Sequence, residues 1–210
     1  AEQEVIQNQL IRNSVDFMVG SASFLDPHRL QIKQDSETNE HTADYVVIGV
    51  GTEPARPENI PFDGDSIIDS DGLLSLKRLP KSLTIVGAGV IGCEYACILA
   101  TLGIPVVLVE KRPRLLEFVD SEIIESLQYQ MRNIGITLRL NEEVVGVSKG
   151  TDNVIVLQLK SGKQIRSPLL VYSAGRTGAN ANLGLDNIGV QADDRGRLKV
   201  NENFQTSQSH

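Results

Sequence analysis

Residues 82–96 read SLTIVGAGVIGCEYA, and this stretch constrains the fold more than any other. An apolar run, Leu83-Thr84-Ile85-Val86, enters Gly87-Ala88-Gly89-Val90-Ile91-Gly92 and leaves into an apolar, helix-prone segment. Strand, glycine turn and helix follow in the order that a dinucleotide pyrophosphate needs. Gly87 permits the tight turn, Gly89 lets the backbone approach the phosphates, and Gly92 lets the helix pack closely on its strand. Val90 and Ile91 open that helix. Its first amides and the positive end of its dipole face the anion.

A lone GxGxxG arises often by chance, but here its surroundings agree with it. Ile104 to Val109 forms a second apolar strand, and Glu110 stands at its end, 18 residues beyond Gly92. That separation suits the acid that bonds an adenine ribose. A carboxylate there accepts from the 2′- and 3′-hydroxyls. It repels a 2′-phosphate by about 4 kcal/mol per unit charge at ~4 Å and an effective dielectric near 20. Lys111, Arg112 and Arg114 follow at once. Arg112 could grip a 2′-phosphate with a two-pronged contact. The cluster reads equally well as a solvated turn at a strand end. An acid beside arginines suits a site that takes both NAD(H) and NADP(H).

The remaining pattern is α/β. Asp71 can cap a short helix through Leu73, Leu74 and Leu76, and Pro80 ends it. Asp120 or Ser121 caps a longer helix with Ile123, Ile124, Leu127 and Met131 at helical spacing. Ile136 to Leu140 reads as a third strand of a parallel sheet. Val144 to Ser148, Val154 to Leu159 and Gln164 to Arg166 alternate as an antiparallel meander, with turns at Gly150–Asn153 and Ser161-Gly162. Leu169 to Ser173 returns as an apolar strand closing on Ala174-Gly175-Arg176. Together these give a three-layer Rossmann-like domain, a parallel sheet with helices and a β-meander. Upstream, residues 1 to 16 suit a broken helix or a helix-to-strand passage. Val15 to Phe24, Leu30 to Lys33 and Tyr45 to Ile48 read as strands, with a polar turn over Gln34 to His41. Pro54, Pro57 and Pro61 mark an extended linker. The tail, Asn187 to Thr206, holds two short strands around Asp193–Gly196.

Bulk properties narrow the partners. A net charge of −7 over 210 residues argues against a nucleic-acid or anionic-membrane surface. No apolar run is long enough to span a bilayer, and no signal-peptide pattern appears. Cys93 and Cys97, four apart on the expected helix, suit small core side chains in a reducing compartment, hence a cytoplasmic setting. His28, His41 and His210 have no metal-ligand spacing, so no metal is expected. Ala1 and His210 both look like cut ends of something longer.

Two further endings echo each other: Ile48-Gly49-Val50-Gly51-Thr52 and Tyr172-Ser173-Ala174-Gly175-Arg176. With GAGVIGCEYA (87–96) between them, and RLL (114–116), LKSGK (159–163), GRTG (175–178), NIG (187–189), LKVN (198–201) and QT (205–206), the chain resembles the flavoprotein disulfide-reductase family with two dinucleotide folds. The resemblance runs along essentially the whole chain. It implies a parent with an FAD-binding domain, an NAD(P)-binding domain inserted into it, and a C-terminal domain that makes a homo-oligomer, commonly a dimer. This chain would be the middle: part of the FAD domain over 1–72, the NAD(P) domain over 73–178, and the start of the return over 179–210.

The resemblance also implies roles. Glu94 would lie near the nicotinamide carboxamide, although an acid early in a helix also simply complements the dipole. Gly175 would set backbone against the nicotinamide, or merely turn a strand end. Val144 would flank the adenine, or sit in the meander core. Val50, Gly51 and Thr52 would face the flavin. Many relatives read Ala-Thr-Gly-Ser at that place, so Val50 lacks their threonine hydroxyl. The redox cysteine pair of the disulfide reductases matches neither Cys93 nor Cys97. The implied activity is an oxidoreductase that passes hydride between NADPH and NAD through FAD, with no catalytic side chain assigned in this chain. Alternatives are dihydrolipoamide dehydrogenase or a related disulfide reductase, and a non-catalytic NAD(H)-sensing module.

Overall fold

The computed structural model describes residues 2–150, 152 and 154–210. The chain divides into two compact units. One joins Ala1–Thr52 to Gly178–His210, and the other is Glu53–Thr177.

In the first unit, α1 (Glu2–Arg12) is followed by a sheet of β1 (Ser21–Asp26), β2 (Arg29–Gln34) and β3 (Glu37–Thr42), antiparallel throughout. Its core is small: Phe24, Ile188 and Val190 are buried, with Leu30, Val46, Ile48, Leu185 and Leu198 against them. The polar stretch Gln34 to His41, expected as a turn, carries β3 instead. All six β3 residues are exposed, so pairing with β2 needs no apolar pattern. Tyr45 to Ile48, expected as a strand, is irregular. The tail forms one bridge, Ala192 to Leu198, where two strands were expected. The Asp193 carboxylate makes that turn by accepting from the amides of Arg195 and Arg197, both at 2.9 Å. A short strand, β4 (Thr52–Pro54), follows the first unit's opening segment.

The second unit is built on β5 (Ile67–Asp69), β6 (Leu83–Val86), β7 (Val106–Glu110), β8 (Thr137–Leu140) and β12 (Leu170–Tyr172), with α2 (Val90–Thr101) after β6 and α3 (Ser121–Asn133) after β7. The sheet is all parallel in the order β5-β12-β6-β7-β8. The segments β9 (Val144–Lys149), β10 (Ile155–Leu159) and β11 (Gln164–Ser167) form the antiparallel meander. Its first turn, at Gly150–Asn153, includes Thr151 and Asn153, which lie outside the described residues. The last short strand of the chain is β13 (Arg176–Gly178).

Two apolar cores explain why β6 reads as an unbroken apolar run: a strand covered on both faces has no solvent side. Leu83 and Ile85 pack with Cys93, Ala96 and Leu99 of α2 and with Ile124 and Met131 of α3. Val86 packs with Ile155, Leu157 and Leu159 of the meander. Helices, parallel sheet and meander make the three layers of an α/β fold, as the sequence pattern implies. The expected proline linker is instead part of this unit. Ile60 is buried in the meander-side core, and β5 is hydrogen-bonded to β12. The compact unit Glu53–Thr177 takes in this stretch. Asp71 stands at the start of a single turn, Gly72–Ser75, but its side chain caps nothing. Asp69 does that work, its Oδ1 accepting from the amides of Asp71 and Gly72.

Candidate functional site

Strand order reverses at β6. The chain runs from β6 outward to β7 and β8 on one side and returns as β12 on the other. Ligands of such sheets bind outside the carboxyl ends of the strands at that reversal. The Gly87–Gly92 turn sits there.

Two of its three glycines are required by the fold, for different reasons. Gly87 has φ +102, and a Cβ would lie 2.7 Å from the backbone N and Cα of Ala174. Gly92 faces inward, where a Cβ would strike the Gly87 carbonyl oxygen and come within 2.7 Å of Ser173 Oγ. Gly89 is the exception: nothing lies within 4 Å of its would-be Cβ. Gly89 is also the N-cap of α2, which has no side-chain cap. The first-turn amides of α2, led by exposed Val90 and half-buried Ile91, are thus left to an incoming group. Ser173, not singled out in the sequence, braces the turn. Its hydroxyl lies 3.1 Å from the Val86 carbonyl and 2.9 Å from that of Gly87. A serine just past a strand end gives no signal that would have revealed this.

Glu110 ends β7 with its side chain 4% exposed. The Ala88 amide donates to its Oε2 at 2.7 Å, which ties the glycine turn to the neighbouring strand. Arg112 supplies the rest. Its backbone amide and Nε donate to Oε1 at 3.0 and 2.9 Å, and its Nη2 donates to Oε2 at 3.1 Å. Burial pushes this carboxyl up, but the Arg112 and Ala88 bonds outweigh it and hold Glu110 below the usual glutamate range. Of the other basic residues, Lys111 is exposed and Arg114 donates to the Glu117 carbonyl at 3.2 Å. Arg112 thus holds Glu110 by its Nε–Nη2 edge.

The start of the meander is tied to the same place. The Asn141 amide donates to the Arg112 carbonyl and the Glu142 amide to that of Glu110, both at 3.0 Å. Val144, half-buried against the meander-side core, follows two residues after Glu142. Glu94 is exposed on the second turn of α2. Gly175 is exposed with φ +118, and its carbonyl accepts from the Ala55 amide at 3.1 Å. Nearby in sequence, Arg56 forks onto buried Asp69, Nε at 2.7 Å and Nη2 at 2.6 Å, and lies over the Phe62 ring. Val50, Gly51 and Thr52 belong to the first unit, where the Gly51 carbonyl accepts from the Ala179 amide. Burial pushes the Cys93 thiol up to about 12, and its Sγ contacts the Ala88 carbonyl at 3.5 Å. That is the setting of an inert core thiol. No helix among the described residues is long and apolar enough to cross a membrane.

A glycine turn at the carboxyl end of a central parallel strand, opening a helix and tied to an acid at the end of the next strand, defines a doubly wound α/β protein of the Rossmann kind. Within that class, the chain belongs to the family described as pyridine nucleotide-disulphide oxidoreductase, whose pattern matches residues 2–210. It is 44% identical over 211 residues to the soluble pyridine nucleotide transhydrogenase of Mycobacterium bovis, covering 100% of this chain and 45% of that protein. To the protein of the same name from Vibrio parahaemolyticus it is 43% identical over 200 residues, covering 95% and 43%. Among solved structures, LpdA from Mycobacterium tuberculosis superposes with a TM-score of 0.88 at 25% identity, over 98% of this chain and 46% of its own. The Cu(II) complex of the HOCl-induced flavoprotein disulfide reductase RclA from Escherichia coli gives 0.86 at 27% identity, over 98% and 48%. The chain therefore spans a little under half the length of the relatives it matches.

Proposed function

We propose that this chain is the NAD(P)-binding portion of an FAD-dependent pyridine nucleotide oxidoreductase, and that the whole protein is a soluble transhydrogenase moving hydride between NADPH and NAD. The observation that carries this reading is the uncapped start of α2 behind an open Gly89. First-turn amides and a helix dipole there suit the coenzyme pyrophosphate. Likeness at 44% identity to proteins named for the reaction supports the particular activity.

In this reading residues 73–178 form the NAD(P)-binding domain, and 1–72 and 179–210 belong to the FAD-binding domain. Gly87, Gly89, Val90, Ile91 and Gly92 cradle the pyrophosphate. Glu110, with Lys111, Arg112 and Arg114 around it, meets the adenine ribose, and Val144 flanks the adenine. Glu94 and Gly175 position the nicotinamide, while Val50, Gly51 and Thr52 face the flavin. FAD, when bound, supplies the hydride acceptor and donor. The chain's own residues bind and orient coenzyme, and none needs to move a proton. The whole protein works in the cytoplasm as a homo-oligomer.

Separate titrations with NADH and NADPH, followed by coenzyme fluorescence or calorimetry, test the reading. The isolated chain binds at least one coenzyme but shows no turnover when FAD and both coenzymes are added. Binding of neither coenzyme overturns the assignment. A disulfide reductase is the second reading, favoured by the name of the RclA neighbour. A Cys-x4-Cys pair elsewhere in the whole protein would decide for it, because Cys93 is buried here.

A further inference from the structure

The ribose end of the site contains an acid that is fully engaged. An ionised carboxylate offers about four lone-pair positions. Glu110 uses all four, one on the Ala88 amide and three on Arg112. The guanidinium covers the carboxylate by its Nε–Nη2 edge and is itself 38% exposed on the side chain. Its Nη1 is only 3.7 Å from Glu117 Oε2, at the limit of an ion pair. Glu110 is thus neutralised in place by a partner anchored two residues along the same chain.

We infer that Arg112 sets coenzyme tolerance by acting through Glu110: it screens the carboxylate, so that a 2′-phosphate does not meet a bare negative charge. This rests on the proposal that the Gly87–Gly92 turn and Glu110 hold the coenzyme. It differs from a direct arginine–phosphate contact in what it requires. A direct contact needs Arg112 whatever stands at position 110. Screening needs Arg112 only while residue 110 is charged. A ribose 2′-hydroxyl, being neutral, gains access to Glu110 when Arg112 is removed. NAD(H) therefore loses nothing by that change and NADP(H) does.

The test is a double-mutant cycle on the 210-residue chain, with NADH and NADPH titrated separately at low ionic strength. Arg112→Gln keeps the backbone amide bond to Glu110 and removes the guanidinium. The Kd for NADPH then rises by about tenfold or more, while that for NADH stays within about threefold. Glu110→Gln keeps the acceptor for the Ala88 amide and removes the charge. In the Glu110→Gln background, Arg112→Gln changes the NADPH Kd by less than about threefold, a rescue that a merely structural role of Arg112 would not produce. Equal losses for both coenzymes in R112Q overturn the inference. So does a double variant that binds NADPH about tenfold more weakly than E110Q, which is the mark of direct phosphate contact. Should R112Q fail to melt cooperatively, the comparison between E110Q and the double variant still separates screening from direct contact. If the unaltered chain binds neither coenzyme, the assignment of the turn falls first and this inference with it.

Discussion

At the scale of single residues, Gly89 and Gly92 separate binding from folding within one motif. Gly92 has no room for a methyl group, since the Gly87 carbonyl and Ser173 Oγ already occupy it. Gly92→Ala must push α2 away from β6, and overpacking of this kind costs about 1–3 kcal/mol. Gly89 has φ −74 and ψ −173, a conformation that alanine adopts, and open space beyond it. Gly89→Ala therefore loses about 0.5–1 kcal/mol, from the weaker N-cap alone. Its methyl group, however, stands where the proposed reading brings in the pyrophosphate. Urea melts and NADH titrations of the two variants check this together. The expected pattern is the larger stability loss for G92A, and a smaller loss with weakened coenzyme binding for G89A. A G89A chain that binds NADH as well as the unaltered one would place the anion elsewhere.

At the scale of elements, α3 offers the cleanest contrast between neighbouring residues. Asp120 caps it by accepting from the Glu122 amide at 2.9 Å, whereas Ser121 is the first helical residue. Asp120→Ala should cost about 1 kcal/mol and Ser121→Ala less than about 0.5, read from urea midpoints. The sequence leaves the choice between the two caps open because both residue types serve at helix starts. The same contrast explains what else could be read. Strands β6, β7 and β12 are covered on both faces and leave runs of apolar residues, so the central sheet is legible from the sequence. Strand β3 (ETNEHT) is exposed along its length and leaves no pattern. Conversely, Tyr45 to Ile48 looks apolar, yet Tyr45 is 79% and Val47 95% exposed. Spacing alone locates Glu110, but not its partners. The Ala88 amide is 22 residues away, and Arg112 folds back only because the chain turns after β7. Ser173 meets the glycine turn because β12 returns beside β6, and Arg56 reaches Asp69 across a 13-residue separation, neither of which a local pattern encodes.

At the scale of the whole second unit, three carboxylates act as fasteners between separate segments. Asp63 accepts from the Asp65, Ser66 and Ile67 amides, the Ser66 hydroxyl and Lys149. Asp69 joins Arg56 to the turn at Asp71-Gly72, and Glu110 joins β7 to the glycine turn. Burial pushes all three carboxyls up, but their amide and cation partners outweigh it, so each is held below its ordinary value. The unfolded chain therefore takes up protons at a higher pH than the folded one. Stability supplied by these groups is complete above the ordinary carboxylate range, about pH 4–5, and drains away as pH falls through it toward the lowered folded-state values. Urea midpoints measured from pH 7 down to pH 3 should be level at first and then fall. Glu110→Gln, which cannot titrate, should lower the midpoint at pH 7 and flatten its decline in acid. A midpoint for the unaltered chain that holds constant to pH 3 would show that these ties do not carry the unit's stability. An E110Q curve running parallel to it throughout would remove Glu110 from the set.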